Sequence, residues 1–177
     1  MMKAPVSIRL AVEPLGAPME TIWLTSDDLN RCRDVAELRQ SESERLGCKP
    51  AHGASADPLK AYQINYIGAK GELAFCHLIG VRWMETVNTF KAPDWGETVQ
   101  VRSRTKAWHD LIIRSDDSDD CVYVLMHVDG IKVTFKGWIK GRDGKQEKWS
   151  RRHGSRPSAF FVPQSELRSD YYTCVRY

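Results

Sequence analysis

Four β-rich segments succeed one another between residues 97 and 139, and their order constrains the fold more than any other feature of the chain. ETVQVRSR (97–104) alternates apolar and polar residues with the period of two that a strand imposes. LIIR (111–114), CVYVLMHV (121–128) and IKVTFKGWI (131–139) continue in β-branched and aromatic residues. Val128-Asp129-Gly130 separates the last two, and Asp-Gly is a tight-hairpin signal. Within the first segment Gln100, Arg102 and Arg104 share one face with Thr98, and Val99 and Val101 take the other.

Two helices are expected upstream. Thr25 or Ser26 can cap a helix running from Asp27 to about Leu46, with Leu29, Cys32, Val35, Ala36 and Leu38 near helical spacing and Gly47 at its end. The charges of RQSESER then read as its solvent face. A second helix is expected from Leu59 to about Gly80, with Leu59, Tyr62, Tyr66, Leu73 and Cys76 as its buried stripe. Gly68 and Gly71 each cost about 1 kcal/mol in a helix interior relative to Ala. Their presence invites a packing or functional explanation, one being a close approach of backbone or ligand beside Glu72. Further expectations are a short N-terminal strand in VSIRLAVEP ending near Pro14, a loop over 49–58, and a C-terminal extended segment to Val162 followed by a short turn or helix around Ser165 to Leu167.

At 177 residues these elements fit one domain with one sizeable core, an α/β (α+β) fold spanning 1–177, with the 25–47 helix as an N-terminal extension. Hydrophobic residues at 42% and charged residues at 28% exclude a disordered chain. The five cysteines form no CxxC or Cys/His cluster, which argues against structural zinc and, with their odd count and no secretory signal, for a reducing, cytoplasmic setting. No apolar run approaches the ~20 residues that span a bilayer, so no membrane partner is expected.

A net charge of +3 says little until the charges are located. KGRDGKQEKWSRRHGSR (140–156) concentrates Lys140, Arg142, Lys145, Arg151 and Arg152 around Trp149, and reads as a basic loop suited to phosphate contact, with Arg104 a further candidate for contact with nucleic acid. SDDSDD (115–120) reads as a solvated acidic loop. Glu72 on the second helix, Asp94 at a Pro-Asp turn, and Gln100 with Arg102 on one strand face make a set that could hold a divalent metal against a phosphodiester. Each residue alone has an ordinary explanation as helix surface, turn former or solvated strand. His109 and Asp110 are secondary candidates for proton transfer, and His77 and His127 read as structural.

The order GAKGELAF, APDWGETVQVRSR, DLIIRSDDSDDCVYVLMHV, KGWIKG, over 66–141, resembles the PD-(D/E)XK nuclease superfamily, particularly its phage and mobile-element members. The resemblance implies a restriction-endonuclease-like αβββαβ core, a mixed central sheet flanked by helices, that hydrolyses DNA with Mg²⁺ or Mn²⁺. It assigns Glu72 and Asp94 as metal ligands, Gln100 to the second acidic position and Arg102 to the lysine position. Gln100 offers only a neutral amide oxygen, and Arg102 binds phosphate but stays protonated and cannot serve as a base. A catalytically silent module of the same fold, binding nucleic acid or a protein partner, is the alternative. Homodimerisation is left open.

Overall fold

The computed structural model describes residues 20–47, 57–87, 92–154 and 156–176. The expected N-terminal strand and most of the 49–58 loop lie outside them. Strand β1 (Thr21–Trp23) leads into helix α1 (Ser26–Arg45), and helix α2 (Pro58–Leu78) follows. Strands β2 (Val99–Arg104), β3 (Leu111–Arg114), β4 (Val122–Asp129) and β5 (Lys132–Lys140) come next. A short helix α3 (Gly141–Gly144), a 3₁₀ turn (Glu147–Trp149), β6 (Ser150–Arg151), β7 (Ala159–Val162), a second 3₁₀ turn (Gln164–Glu166) and a short helix α4 (Tyr171–Cys174) complete the order. The protein is therefore mixed α/β, with four helices among the described residues.

Both long helices begin at side-chain caps, the first of them at the expected Thr25. Thr25 Oγ1 accepts from Asp28 N at 3.2 Å while the Asp28 carboxylate accepts from Thr25 N at 2.9 Å, a reciprocal capping box. The same Asp28 takes His77 Nε2 at 3.0 Å, which ties the start of α1 to the end of α2 and gives His77 a structural role. Asp57 caps α2, with Pro58 in its first turn. The expected stripes need correction at two positions: Leu38 and Leu59 are exposed. On α1 the position that continues Cys32, Val35 and Ala36 at helical spacing is Arg39. On α2 every residue from Ala69 to Cys76 is buried, because that half of the helix lies between α1 and the sheet.

The strands form two sheets. The larger has the order β1-β5-β4-β2, in which β2 runs parallel to β4 and the other pairs are antiparallel; the smaller has the order β3-β7-β6. Central strand β4 is buried on both faces. Val122, Val124, Met126 and Val128 join the helix-side core, while Tyr123 and Leu125 join a second core with Leu111, Ile113, Trp149 and Val162. Three layers result: helices, four-stranded sheet, three-stranded sheet. The crossover between parallel β2 and β4 passes through β3 in the second sheet. The Asp-Gly hairpin forms, with Gly130 and Ile131 as its two loop residues.

Two expectations about peripheral segments are corrected. Helix α1 is no extension: it packs along α2 and buries Cys32, Val35 and Ala36 in the main core. Nor is 140–156 one basic loop. It folds into α3, a 3₁₀ turn and β6, and Trp149 is only 6% exposed, inside the second core. The acidic run beside it is its counterpart: Arg142 pairs with Asp120, and Lys145 with Asp119 at 2.7 Å.

The two glycines of α2 differ in kind. A Cβ on Gly71 would stand 1.9 Å from Ser103 Oγ and 3.2 Å from Ser103 Cβ, so this glycine lets helix and β2 touch. A Cβ on Gly68 would meet nothing closer than 3.9 Å. Gly71→Ala is therefore expected to destabilise by about 1–3 kcal/mol through overpacking, and Gly68→Ala to stabilise by about 0.5–1 kcal/mol through helix propensity. Urea denaturation of the two variants checks the opposite signs.

Candidate functional site

The chain reverses tightly between Asp94 and Val99. Trp95 and Val99 bridge, Asp94 N donates to Val99 O at 2.8 Å, and Gly96 supplies the left-handed turn with φ of +58°. This reversal lays Asp94 along the open edge of β2, where Asp94 Oδ2 accepts from Val101 N at 2.6 Å. The Pro-Asp turn of the sequence reading is thus also a clamp on the strand edge.

On the helix side stands Glu72, 8% exposed. Arg39 binds it with both terminal nitrogens, Nη1 to Oε1 at 2.9 Å and Nη2 to Oε2 at 2.7 Å, and Trp83 Nε1 reaches Oε2 at 3.4 Å. Arg39 also donates to Thr86 O, at 3.0 Å from Nε and 2.9 Å from Nη2, which fastens the segment after α2 to α1. Burial opposes the Arg39 charge, but the hydrogen bonds and charge of Glu72 outweigh it and hold its pKa above the ordinary arginine value. Sequence reasoning missed Arg39 by assigning RQSESER wholly to solvent. Its position four residues after Val35 and three after Ala36 was the available signal.

On the other side of β2 are Gln100 and Arg102. Val99 and Val101 belong to the helix-side core, and Gln100 and Arg102 lie in register with Tyr123 and Leu125, which face the second sheet. Arg102 donates to Gln100 Oε1 at 3.1 Å and to Asp117 Oδ2 at 3.0 Å, and packs 5.2 Å from the Tyr123 ring; Gln100 Nε2 donates to Ala92 O at 2.8 Å. Asp117 also accepts from Arg114 N at 2.8 Å, so part of the acidic run is structural.

The four sequence-predicted residues accordingly fall into two half-sites, with Asp94 between them. Burial first, and then the nearby Glu72 carboxylate, push the Asp94 carboxyl up from 3.8 to about 7, against the pull of the Val101 amide, Arg102 and Arg39. Asp94 and Glu72 carry hard carboxylate oxygens of the kind that Mg²⁺ or Mn²⁺ takes, whereas the Gln100 amide oxygen lies on the other side of β2. Among the described residues no three His, Cys, Asp or Glu side chains converge as a ready ligand cluster. Gln100 would have to complete the set, by releasing Arg102.

A cleft of about 1160 Å³ runs beside β2, between α2 and the second sheet. Gly68, Val101 and Arg102 line it, so the Asp94 clamp sits one hydrogen bond behind its wall. Among the described residues its cations are Lys60, Arg102, Arg104, Arg114, Arg151 and Arg156, and none of its described lining residues is a carboxylate. Of the residues expected to contact nucleic acid, Arg104 and Arg151 are in this cleft. Lys140, Arg142, Lys145 and Arg152 are not. His109 is in the cleft wall; burial, then Arg104 and Lys106, lower its pKa, which keeps the ring neutral near pH 7. No helix among the described residues is long and apolar enough to cross a membrane. Comparison with family models, curated proteins and solved structures gives no match for this chain.

Proposed function

We propose that this protein is a divalent-metal-dependent deoxyribonuclease with a restriction-endonuclease-like core, hydrolysing DNA phosphodiester bonds at Asp94 and Glu72. The observation that carries the reading is a conflicted carboxylate, Asp94 raised to about 7 near Glu72 and hydrogen-bonded to Val101 in the wall of a cleft whose described lining has six cations and no acid. A polyanion is drawn to such a cleft, and a divalent cation is what relieves such a pair.

Asp94, Glu72 and the Gln100 amide oxygen would hold the ion. When bound, it supplies Lewis-acid stabilisation of a phosphoryl oxygen and an activated water. Arg102, in the cleft lining, would hold a phosphate oxygen by its guanidinium fork and carry no proton in the reaction. Arg39 positions Glu72 and fixes the segment leading toward Asp94. The Val101 amide keeps one Asp94 oxygen oriented along the strand edge.

The test is incubation of the purified protein with linear, nicked, branched and single-stranded DNA in Mg²⁺, Mn²⁺ or EDTA. Cleavage of at least one form that EDTA stops is expected; intact DNA in every combination would remove the proposal. One observation favours a second reading, the catalytically silent module. Arg39 occupies both oxygens of Glu72, and Arg102 occupies Gln100, so internal cations already sit where a metal would act. That reading requires salt-sensitive DNA binding that persists in EDTA with no turnover.

Binding itself should separate the two groups of basic residues. Arg151→Gln, in the cleft, is expected to weaken DNA binding across sequences and lower the salt slope by about 1. Arg142→Gln, whose guanidinium pairs with Asp120 outside the cleft, should change the slope by much less. Fluorescence anisotropy from 50 to 200 mM salt reads the difference.

A further inference from the structure

The second sheet presents a graded surface to the cleft. Arg114 and Arg151 are both in register with Ala159, one from each neighbouring strand, so all three side chains emerge on one face. The two arginine backbones are roughly 10 Å apart across the small Ala159. Two residues along, the row is apolar: Ile112 is in register with Phe161, and the His153 ring meets Phe161 edge-on at 4.9 Å. Helix α2 faces this surface with Ile64, 56% exposed, and Ile67. The cleft thus has apolar walls and a cationic rim.

Three buried polar atoms of residues that line the cleft lack hydrogen-bond partners among the described residues: Ser103 Oγ, which presses on Gly71, and Arg104 Nε and His109 Nδ1. The cations also crowd one another. Burial, then Arg102, lower the Arg114 pKa against Asp117, and burial and Arg114 lower that of Arg104 against Asp110. An anion is the natural complement.

A duplex offers phosphates outward and hides its base faces in the stack. It would meet the arginines and leave Phe161, Ile112 and Ile64 facing water. An unpaired strand offers both phosphates and base faces, and base stacking on an aromatic side chain within a basic groove is the usual means of holding it. A volume of about 1160 Å³ accepts a few such nucleotides.

We infer that the cleft takes a single unpaired strand of nucleic acid, with a base against Phe161 and phosphates at Arg104, Arg114 and Arg151. The inference rests on the proposed function only for treating the cleft as part of a nucleic-acid site, and adds the form of the substrate.

Anisotropy titrations in EDTA with a labelled oligothymidylate and a blunt hairpin duplex test it. The single strand is expected to bind at least 10-fold tighter. Phe161→Ala should weaken strand binding roughly 10-fold while leaving the weak duplex binding unchanged. Because Phe161 is half-buried, Arg151→Gln on the exposed β6 serves as a second variant, and thermal melting confirms that both are folded. Equal or tighter duplex binding overturns the inference, as does unchanged strand affinity in folded Phe161→Ala. Neither result touches the hydrolytic reading, which fails separately if strand binding is strong and no DNA is cut in Mg²⁺ or Mn²⁺.

Discussion

Asp94→Asn is expected to remove Mg²⁺-dependent DNA cleavage, by on the order of 10³-fold or more, while making the metal-free protein more stable at pH 8. Both effects come from one carboxylate. In the folded state burial and Glu72 raise its pKa from 3.8 to about 7, so between about pH 4 and pH 7 the folded protein keeps a proton that the unfolded chain has released. The folded state binds more protons in that window, so this group's contribution to stability falls as pH rises through it. At roughly 1.4 kcal/mol per pKa unit the penalty above pH 7 is at most about 4 kcal/mol. Asparagine removes the charge and keeps an oxygen for the Val101 amide. Denaturation in EDTA at pH 5 and pH 8 should show the variant's advantage growing with pH, alongside a cleavage assay in Mg²⁺. A variant that cuts normally, or one with no stability gain at pH 8, would contradict the role given to Asp94. A gain in stability with a loss of activity is the pattern of a group kept strained for function.

Arg39→Leu is expected to destabilise the protein by about 3–5 kcal/mol, because it strands a buried Glu72 carboxylate that now has two charged hydrogen bonds. The companion Glu72→Leu leaves a buried guanidinium still bonded to Thr86 O, and should cost less. The double variant should recover much of the loss, since removing both members of a buried pair is far milder than removing one. A double-mutant cycle by urea denaturation gives the coupling directly. Additive losses would mean that Arg39 and Glu72 do not act as a pair, and Arg39 would lose its place as the residue that positions the carboxylate.

Much of the scaffold was legible in the sequence because its signals are local. Thr25 and Gly47 bound α1, the alternation in ETVQVRSR gives β2, and Asp129-Gly130 marks the hairpin; none needs knowledge of a distant partner. The Gly71 puzzle was also readable, since a costly glycine in a helix implies something pressing on it, here Ser103. What the sequence could not give was the layer on each side of a strand. Alternation says that Gln100 and Arg102 share a face but not whether Glu72 shares it, and register with Tyr123 and Leu125 turns them toward the second sheet. The basic run misled for a related reason. Charge composition cannot tell that Arg142 and Lys145 find carboxylates in the 115–120 run, or that Trp149 is buried. The cleft arginines are scattered along the chain from Arg102 to Arg156, and only the β3-β7-β6 register brings Arg114 and Arg151 into one row.

The account turns on whether Asp94 and Glu72 accept a divalent cation, which requires Arg39 to yield at least one Glu72 oxygen. Anomalous scattering from crystals of the protein soaked in Mn²⁺ measures this directly. The expected result is a peak bonded to Asp94, with Glu72 or the Gln100 amide oxygen completing it and at least one Arg39 contact to Glu72 broken. No peak at Asp94, with Arg39 still on both Glu72 oxygens, would contradict the metal centre and leave the cleft as a binding site alone.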